Sequence, residues 1–554
     1  MSTANRPKAK KRFDGFGLLL ALTFAAVAVG VGYLALHFGW FDSTWKLLAF
    51  LGILAVAVVG VALEGAPVRQ ATVAHSRWAE RGDLGGIAES VASPEAQAAI
   101  EAGDQGPYLG GYTDGRDYYA LRYQGGLHML CFGPPGAGKS MSLVVPNLSH
   151  VRRSLIVIDP KGELAAITAR KRAKFGKVIV LNPFGLLIEE DKAPHLASAG
   201  WNPLMQLDPD GVDFEGDART IADALIEKSG GTHSRFFDTN AENIVTAFIM
   251  WERFTKRDQA SLINIRAELS LPTVYDKKTN EPASGFLHTL KCMSECKEQR
   301  AIRDVGARAY GRFTDKFSMA TSAQDVIDTA LSNLGFLSND LIAADMAFGG
   351  AIDFGALHRE VTTVYLILPL KDLTKQAKWL RLFVNLALAK LYETSPMGSA
   401  SLPPVMLVLD EFGNLGKLSQ IVTALTTARG LRIQLWMFLQ NLAQLKTHYK
   451  DEWTNFFTGS GAITTFRTGD NDTAEYLANV YGNQEQAVQT QTRSGGSLTP
   501  QAMPLIRKED LGRIPDGEVI NLIKPCPWPI RASSPVYPHT RFKDGLDPNP
   551  YYQE

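Results

Sequence analysis

Residues 131–148 read CFGPPGAGKSMSLVVPNL. Within them Gly133, Gly138, Lys139 and Ser140 fit the spacing G-x-x-x-x-G-K-[ST], in which small residues let backbone N–H groups close around phosphate oxygens at a helix start. The parts that such a loop needs stand in order. HMLCF is a strand, Gly133, Pro134, Pro135, Gly136, Ala137 and Gly138 form the loop, and KSMSLVV opens a helix. Lys139 is then expected at the β- and γ-phosphates of ATP, with the Ser140 hydroxyl helping to hold Mg2+. Pro146 falls about two turns into the helix and is expected to end or kink it.

Outward from this loop the chain carries further short, apolar, β-branched runs: SLIVID (154–159), KVIVLN (177–182), TTVYLILP (362–369), VMLVLDE (405–411), IQLWMFLQ (433–440) and AITTFR (462–467). Strands apolar on both faces, alternating with helical stretches such as 376–393, predict an α/β fold built on a mostly parallel sheet. A phosphate loop also needs a carboxylate at the end of a neighbouring buried strand. VMLVLDEF supplies Asp410 as metal partner and Glu411, one residue on, as general base for the attacking water.

Gln440 ends the next strand, where an amide can bond a γ-phosphate oxygen or the lytic water, or simply cap the strand. Asp159 and Asn182 also end strands before proline, and a turn with a helix start accounts for them equally well. Lys161 reads as readily as a solvated charge. Arg429, in TTARGLR, is by itself either a surface arginine or an arginine finger lent to a neighbouring site.

The rest of the chain bounds the architecture. It has 554 residues, 45% hydrophobic and 21% charged, enough for two or three domains with sizeable cores. Lys+Arg and Asp+Glu balance at 57 each, so net charge points to no partner. The four cysteines, Cys131, Cys292, Cys296 and Cys526, form neither a disulfide framework nor a zinc pattern, and read as reduced packing thiols. Cys292 and Cys296 are spaced to share one face of a helix.

Residues 16–38 and about 45–63 are two apolar runs with basic residues outside both, which predicts a transmembrane hairpin with both ends in the cytoplasm. Between about 205 and 340, helical periodicity replaces the strand rhythm and predicts an inserted all-α domain. The expected organisation is thus 1–70 as tail and membrane hairpin, 71–204 and 341–554 as the two parts of a nucleotide-binding domain, and 205–340 as the insertion. The polar, Gln-rich segment 482–501 reads as a loop or a partner-dependent contact.

With these residues assembled, the chain resembles the coupling proteins of type IV secretion systems, the TraG-like membrane ATPases of conjugation. The resemblance rests on the N-terminal double span, GPPGAGKSMSLVVPNL, VIDPKGEL, VLNPF with WNPL, FFDTNAENIV and, above all, VLDEFGNLGKL through TARGLRIQLWMFLQNLAQL. It implies a RecA-like P-loop domain in a homo-hexamer on the bacterial inner membrane, working with the components of a secretion channel. It also implies a relaxase with single-stranded DNA, or protein effectors, as cargo. Under that resemblance Arg429 falls at the trans-acting arginine and Gln440 at the nucleotide-sensing glutamine. The sequence stops at DPNPYYQE without the long acidic tail that some members of the family use to engage substrates, so substrate choice is expected to fall more heavily on the helical insertion and membrane-proximal parts. Two other readings use the same motifs: a chromosome-type membrane DNA translocase, and a non-catalytic docking receptor that nucleotide only stabilises.

Overall fold

The structure, a computed structural model, describes residues 76–90, 106–189, 191–228, 232–314, 322–373, 375–396, 403–427, 430–492 and 495–552. Both expected membrane spans lie outside these residues. Among the described residues no helix is long and apolar enough to cross a membrane.

Sixteen strands form among the described residues. In chain order they are β1 (Ala88–Ser90), β2 (Tyr108–Asp114), β3 (Asp117–Arg122), β4 (His128–Phe132), β5 (Leu155–Asp159), β6 (Lys177–Leu181), β7 (Val274–Tyr275) and β8 (Pro282–Ser284). They continue with β9 (Thr362–Ile367), β10 (Val405–Leu409), β11 (Ile433–Leu439), β12 (Ser460–Thr465), β13 (Asn483–Thr492), β14 (Gly495–Pro504), β15 (Glu518–Ile523) and β16 (Ile530–Ser533). Twelve make one sheet in the order β1-β3-β2-β16-β15-β12-β4-β11-β10-β5-β9-β6. From β12 to β6 every pairing is parallel, whereas from β1 to β12 every pairing is antiparallel.

The parallel half follows from side-chain alternation. Leu130 and Phe132 of β4, Leu407 and Leu409 of β10, and Leu435, Met437 and Leu439 of β11 belong to one core. Their neighbours Met129, Cys131, Met406, Val408, Trp436 and Phe438 belong to the core on the other face. A strand buried on both faces reads as a continuous apolar run. The first core also takes in helices between β6 and β9 and the long helix Ala377–Glu393. The second takes in α1 (Val145–His150) and α2 (Glu163–Arg172).

Several expectations are corrected. Pro146 does not end its helix, which runs on to His150. The turn before it is a π-helix, Ser140–Val144, in which Val145 N–H bonds Ser140 O five residues back. That wider turn moves aside the carbonyl that the proline ring would strike. The segment 482–501 is no loop: β13 and β14 pair antiparallel from Asn483 opposite Pro504 to Thr492 opposite Gly495.

Cys292 and Cys296 do not share a helix, because Phe286–Ser294 ends before Cys296; Cys292 Sγ instead lies 3.5 Å from His288 Nε2. Within residues 205–340, the helix Phe214–Leu225 stops at Leu225. Beyond it, Glu227 N–H donates to Asn333 Oδ1 at 3.2 Å.

One buried group makes stability depend on pH. His150 donates from Nδ1 to Pro146 O at 2.6 Å, and its Nε2 accepts from Arg122 Nη1 at 2.9 Å, so both ring nitrogens are committed in the neutral form. Burial, and then the Arg122 charge, hold its pKa well below the ordinary value. Below a pH of about 6.5 the unfolded chain therefore binds a proton that the folded chain refuses, and stability falls by up to about 1.4 kcal/mol per pH unit. His150→Gln is expected to lose less apparent Tm between pH 7.5 and 5.5 than wild type in thermal unfolding. An equal loss would show that His150 does not set this limb.

Candidate functional site

The phosphate loop leaves the C-terminal end of β4 and is pinned to the next strand by Gly133 N–H, which donates to Leu439 O at 3.1 Å. A Cβ at Gly133 would lie 2.8 Å from Phe466 Cβ, so only glycine allows this approach. Gly136 and Gly138 have φ of 77° and 83°, the left-handed conformation that lets successive N–H groups turn toward one point. Lys139, buried, curls over the loop and donates from Nζ to Gly133 O at 2.6 Å and Pro134 O at 3.0 Å. Ser140 opens the helix.

Across the sheet edge, Ser140 Oγ donates to Asp410 Oδ2 at 2.8 Å, a contact between residues 270 apart in sequence. β10 carries Asp410 to this point because it lies two strands from β4, across β11. Asp410 is half-buried, and the protein packed around its carboxyl raises its pKa; the Ser140 hydroxyl opposes that shift, and Glu411 adds to it. Asp159, at the end of the adjacent β5, is buried and pushed up to about 7 by burial, with Asp410 and Glu163 adding to the rise and the Ala165 N–H bond opposing it. Two carboxyls raised side by side next to a serine hydroxyl are an all-oxygen set short of positive charge. That donor chemistry fits a hard divalent cation such as Mg2+, and the loop beside it fits the phosphates of a nucleotide.

Glu411 follows with φ 59° and ψ 36°, left-handed for a residue that has a Cβ. Such a conformation costs about 1–2 kcal/mol and must be held by its surroundings. Gln440 Nε2 donates to Glu411 Oε2 at 3.0 Å, and Asn414 Nδ2 donates to the same oxygen at 3.3 Å. The structure thus brings Lys139, Ser140, Asp410, Glu411 and Gln440 to one edge of three strands. Arg429 lies outside the described residues. Asn182 pins a turn, its amide bonding Leu186 N, Leu186 O and Leu196 O. Asp159 Oδ2 accepts from Ala165 N–H at 2.8 Å, a helix-start contact that also leaves it beside Asp410. Lys161 is exposed, though near enough to lower the Asp410 pKa slightly.

Sequence reasoning missed Asn414, Gln444 and His448, which surround the Glu411 turn. A signal was present: Gln440, Gln444 and His448 recur every four residues, the spacing of one helix face. It also missed the C-terminal segment on the β5–α2 turn, where Asn549 Nδ2 donates to Glu163 Oε1 at 2.7 Å and the Tyr551 hydroxyl to Lys161 O at 2.7 Å.

The fold and this edge define a P-loop nucleotide-binding protein. The chain belongs to the type IV secretory system conjugative DNA transfer family, whose family description matches residues 77–547. It is 27% identical over 419 residues to the protein VirD4 of Agrobacterium fabrum, covering 72% of this chain and 57% of that protein's length. It is 24% identical over 487 residues to a conjugal transfer protein TraG of Escherichia coli, covering 82% and 71% respectively.

Among solved structures, the bacterial conjugative coupling protein TrwBdeltaN70 shares the fold with a TM-score of 0.55 at 13% identity, over 83% of this chain and 94% of that one. TrwB bound to a non-hydrolysable ATP analogue matches with a TM-score of 0.53 at 13% identity, over 83% and 95%.

Proposed function

We propose that this chain is a membrane-anchored coupling ATPase that receives a macromolecule, relaxase-bound single-stranded DNA or a protein effector, and drives it into a type IV secretion channel by ATP hydrolysis. Family membership supports the process. The Ser140–Asp410 bond, with Glu411 and Gln440 immediately beyond it, carries the enzymatic part. Residues 1–70 would serve as tail and membrane hairpin, and 205–340 as an all-α domain inserted in a nucleotide-binding domain that assembles as a homo-hexamer.

In this reading the backbone N–H groups of Gly136 to Ser140 receive the phosphates, and Lys139 exchanges its two loop carbonyls for β- and γ-phosphate oxygens. Ser140 and Asp410 would hold Mg2+, which would supply positive charge to the phosphates. Glu411 orients a water opposite the leaving group and takes its proton, while Gln440, bonded to the same carboxylate, registers whether the γ-phosphate is present. Arg429 would complete the site of a neighbouring copy.

Nucleotide capture can be tested apart from turnover. Lys139→Ala is expected to weaken binding of a fluorescent ATP analogue by about ten- to a hundredfold, the effect of losing a charged hydrogen-bond donor. Binding at wild-type affinity would remove Lys139 from the site.

A further inference from the structure

We propose that Gln444 and His448, on the helix α3 (Leu442–Tyr449) that follows Gln440, are positioning residues that hold the Glu411 turn in its catalytic geometry. The inference rests on the reading of Glu411 as general base.

Three contacts tie this helix to that turn. Gln444 Oε1 accepts from the backbone N–H of Gln440 at 2.8 Å, which fixes where the Gln440 side chain starts. The same Gln444 amide lies flat against Gly413, so closely that a Cβ there would fall 2.2 Å from Gln444 Cδ and Nε2. One turn on, His448 Nε2 lies 2.9 Å from Gly413 O; because a carbonyl only accepts, Nε2 carries the proton and donates. Gly413 is two residues from Glu411, within the short 3-10 turn Phe412–Asn414 that Glu411 caps. The helix face bearing Gln444 and His448 therefore grips the turn from outside, while Gln440 Nε2, from the residue that ends β11, and Asn414 Nδ2 grip the carboxylate itself.

The brace accounts for two otherwise separate features. It supplies surroundings that hold Glu411 at a left-handed φ, and it gives Gly413, which has no positive φ of its own, a reason to be glycine. It also links Gln440 to Glu411 through backbone as well as side chain, so that a movement of either is passed to the other.

The test measures ATP turnover by the full chain in detergent, together with affinity for a fluorescent ATP analogue. Gln444→Met and His448→Leu each remove a hydrogen bond at similar volume, and each is expected to lower kcat about tenfold with KM and nucleotide affinity within about twofold of wild type. His448→Gln and Gln444→Glu, which restore a donor and an acceptor, should recover most of the loss. Gly413→Ala should push the Gln444 amide aside and match Gln444→Ala, and the double variant should cost no more than Gln444→Ala alone.

Wild-type kcat in Gln444→Met and His448→Leu overturns the inference, as does an additive double variant. A parallel loss of nucleotide binding overturns it too, because the two residues would then serve the fold alone. Glu411→Gln at full turnover overturns the reading of Glu411 and this inference with it, whereas a dead Glu411→Gln beside unaffected Gln444 and His448 variants overturns the inference only.

Discussion

Glu411→Gln is expected to lower kcat for ATP by about a hundred- to ten-thousandfold, the range for removing a general base, while nucleotide still binds. The substitution keeps the shape and retains an oxygen for the Gln440 and Asn414 amides, which donate to Oε2 at 3.0 and 3.3 Å. It removes only the ability to take a proton. The Ser140–Asp410 pair and the Lys139 loop, which in the proposed reading would hold the nucleotide, are untouched. Measured turnover should fall while the Kd for a fluorescent ATP analogue stays within about twofold of wild type. A fall in both would mean that Glu411 supports the loop rather than the chemistry.

The second large effect belongs to Arg429. Its removal is expected to cost about a thousandfold or more in turnover, as for other arginine fingers. In the proposed reading it acts on a neighbour. In sequence Arg429 precedes β11 and Gln440 follows it, with the seven-residue strand, about 20 Å long at about 3.3 Å per residue, between them.

Arg429→Ala and Glu411→Gln chains should each be nearly inactive, yet regain measurable turnover when co-assembled. Some sites would then combine Glu411 of one copy with Arg429 of the next. No recovery on mixing, with both variants assembling normally, would place Arg429 in its own site or out of the chemistry.

How much could be read from sequence depended on burial. β4, β5, β10 and β11 are covered on both faces, and each appears as a mostly apolar run, broken only by His128 and Gln434, that ends at or just before the site. The antiparallel half was not read, because β3 (DYYALR) mixes exposed and buried positions and β1 has three residues, too few to show a period. The Ser140–Asp410 contact was legible because both ends lie in strand-end motifs whose chemistry requires them to meet.

The Gln444–Gly413–His448 brace was not read, since its one trace, the four-residue spacing of Gln444 and His448, does not point to Gly413. Pro146 does not end its helix, for a physical reason. The rule that proline breaks helices assumes an α-turn before it, and this chain places a π-turn there.

The measurement that bears most directly on the whole account is steady-state ATP turnover by the full chain with Mg2+, with and without single-stranded DNA, at two salt concentrations. The account predicts turnover that rises with DNA, and a stimulation that fades as salt increases, because phosphate contacts release counterions. No turnover in any assembly state, with or without DNA, would contradict it and leave a nucleotide-stabilised docking receptor in place of a motor.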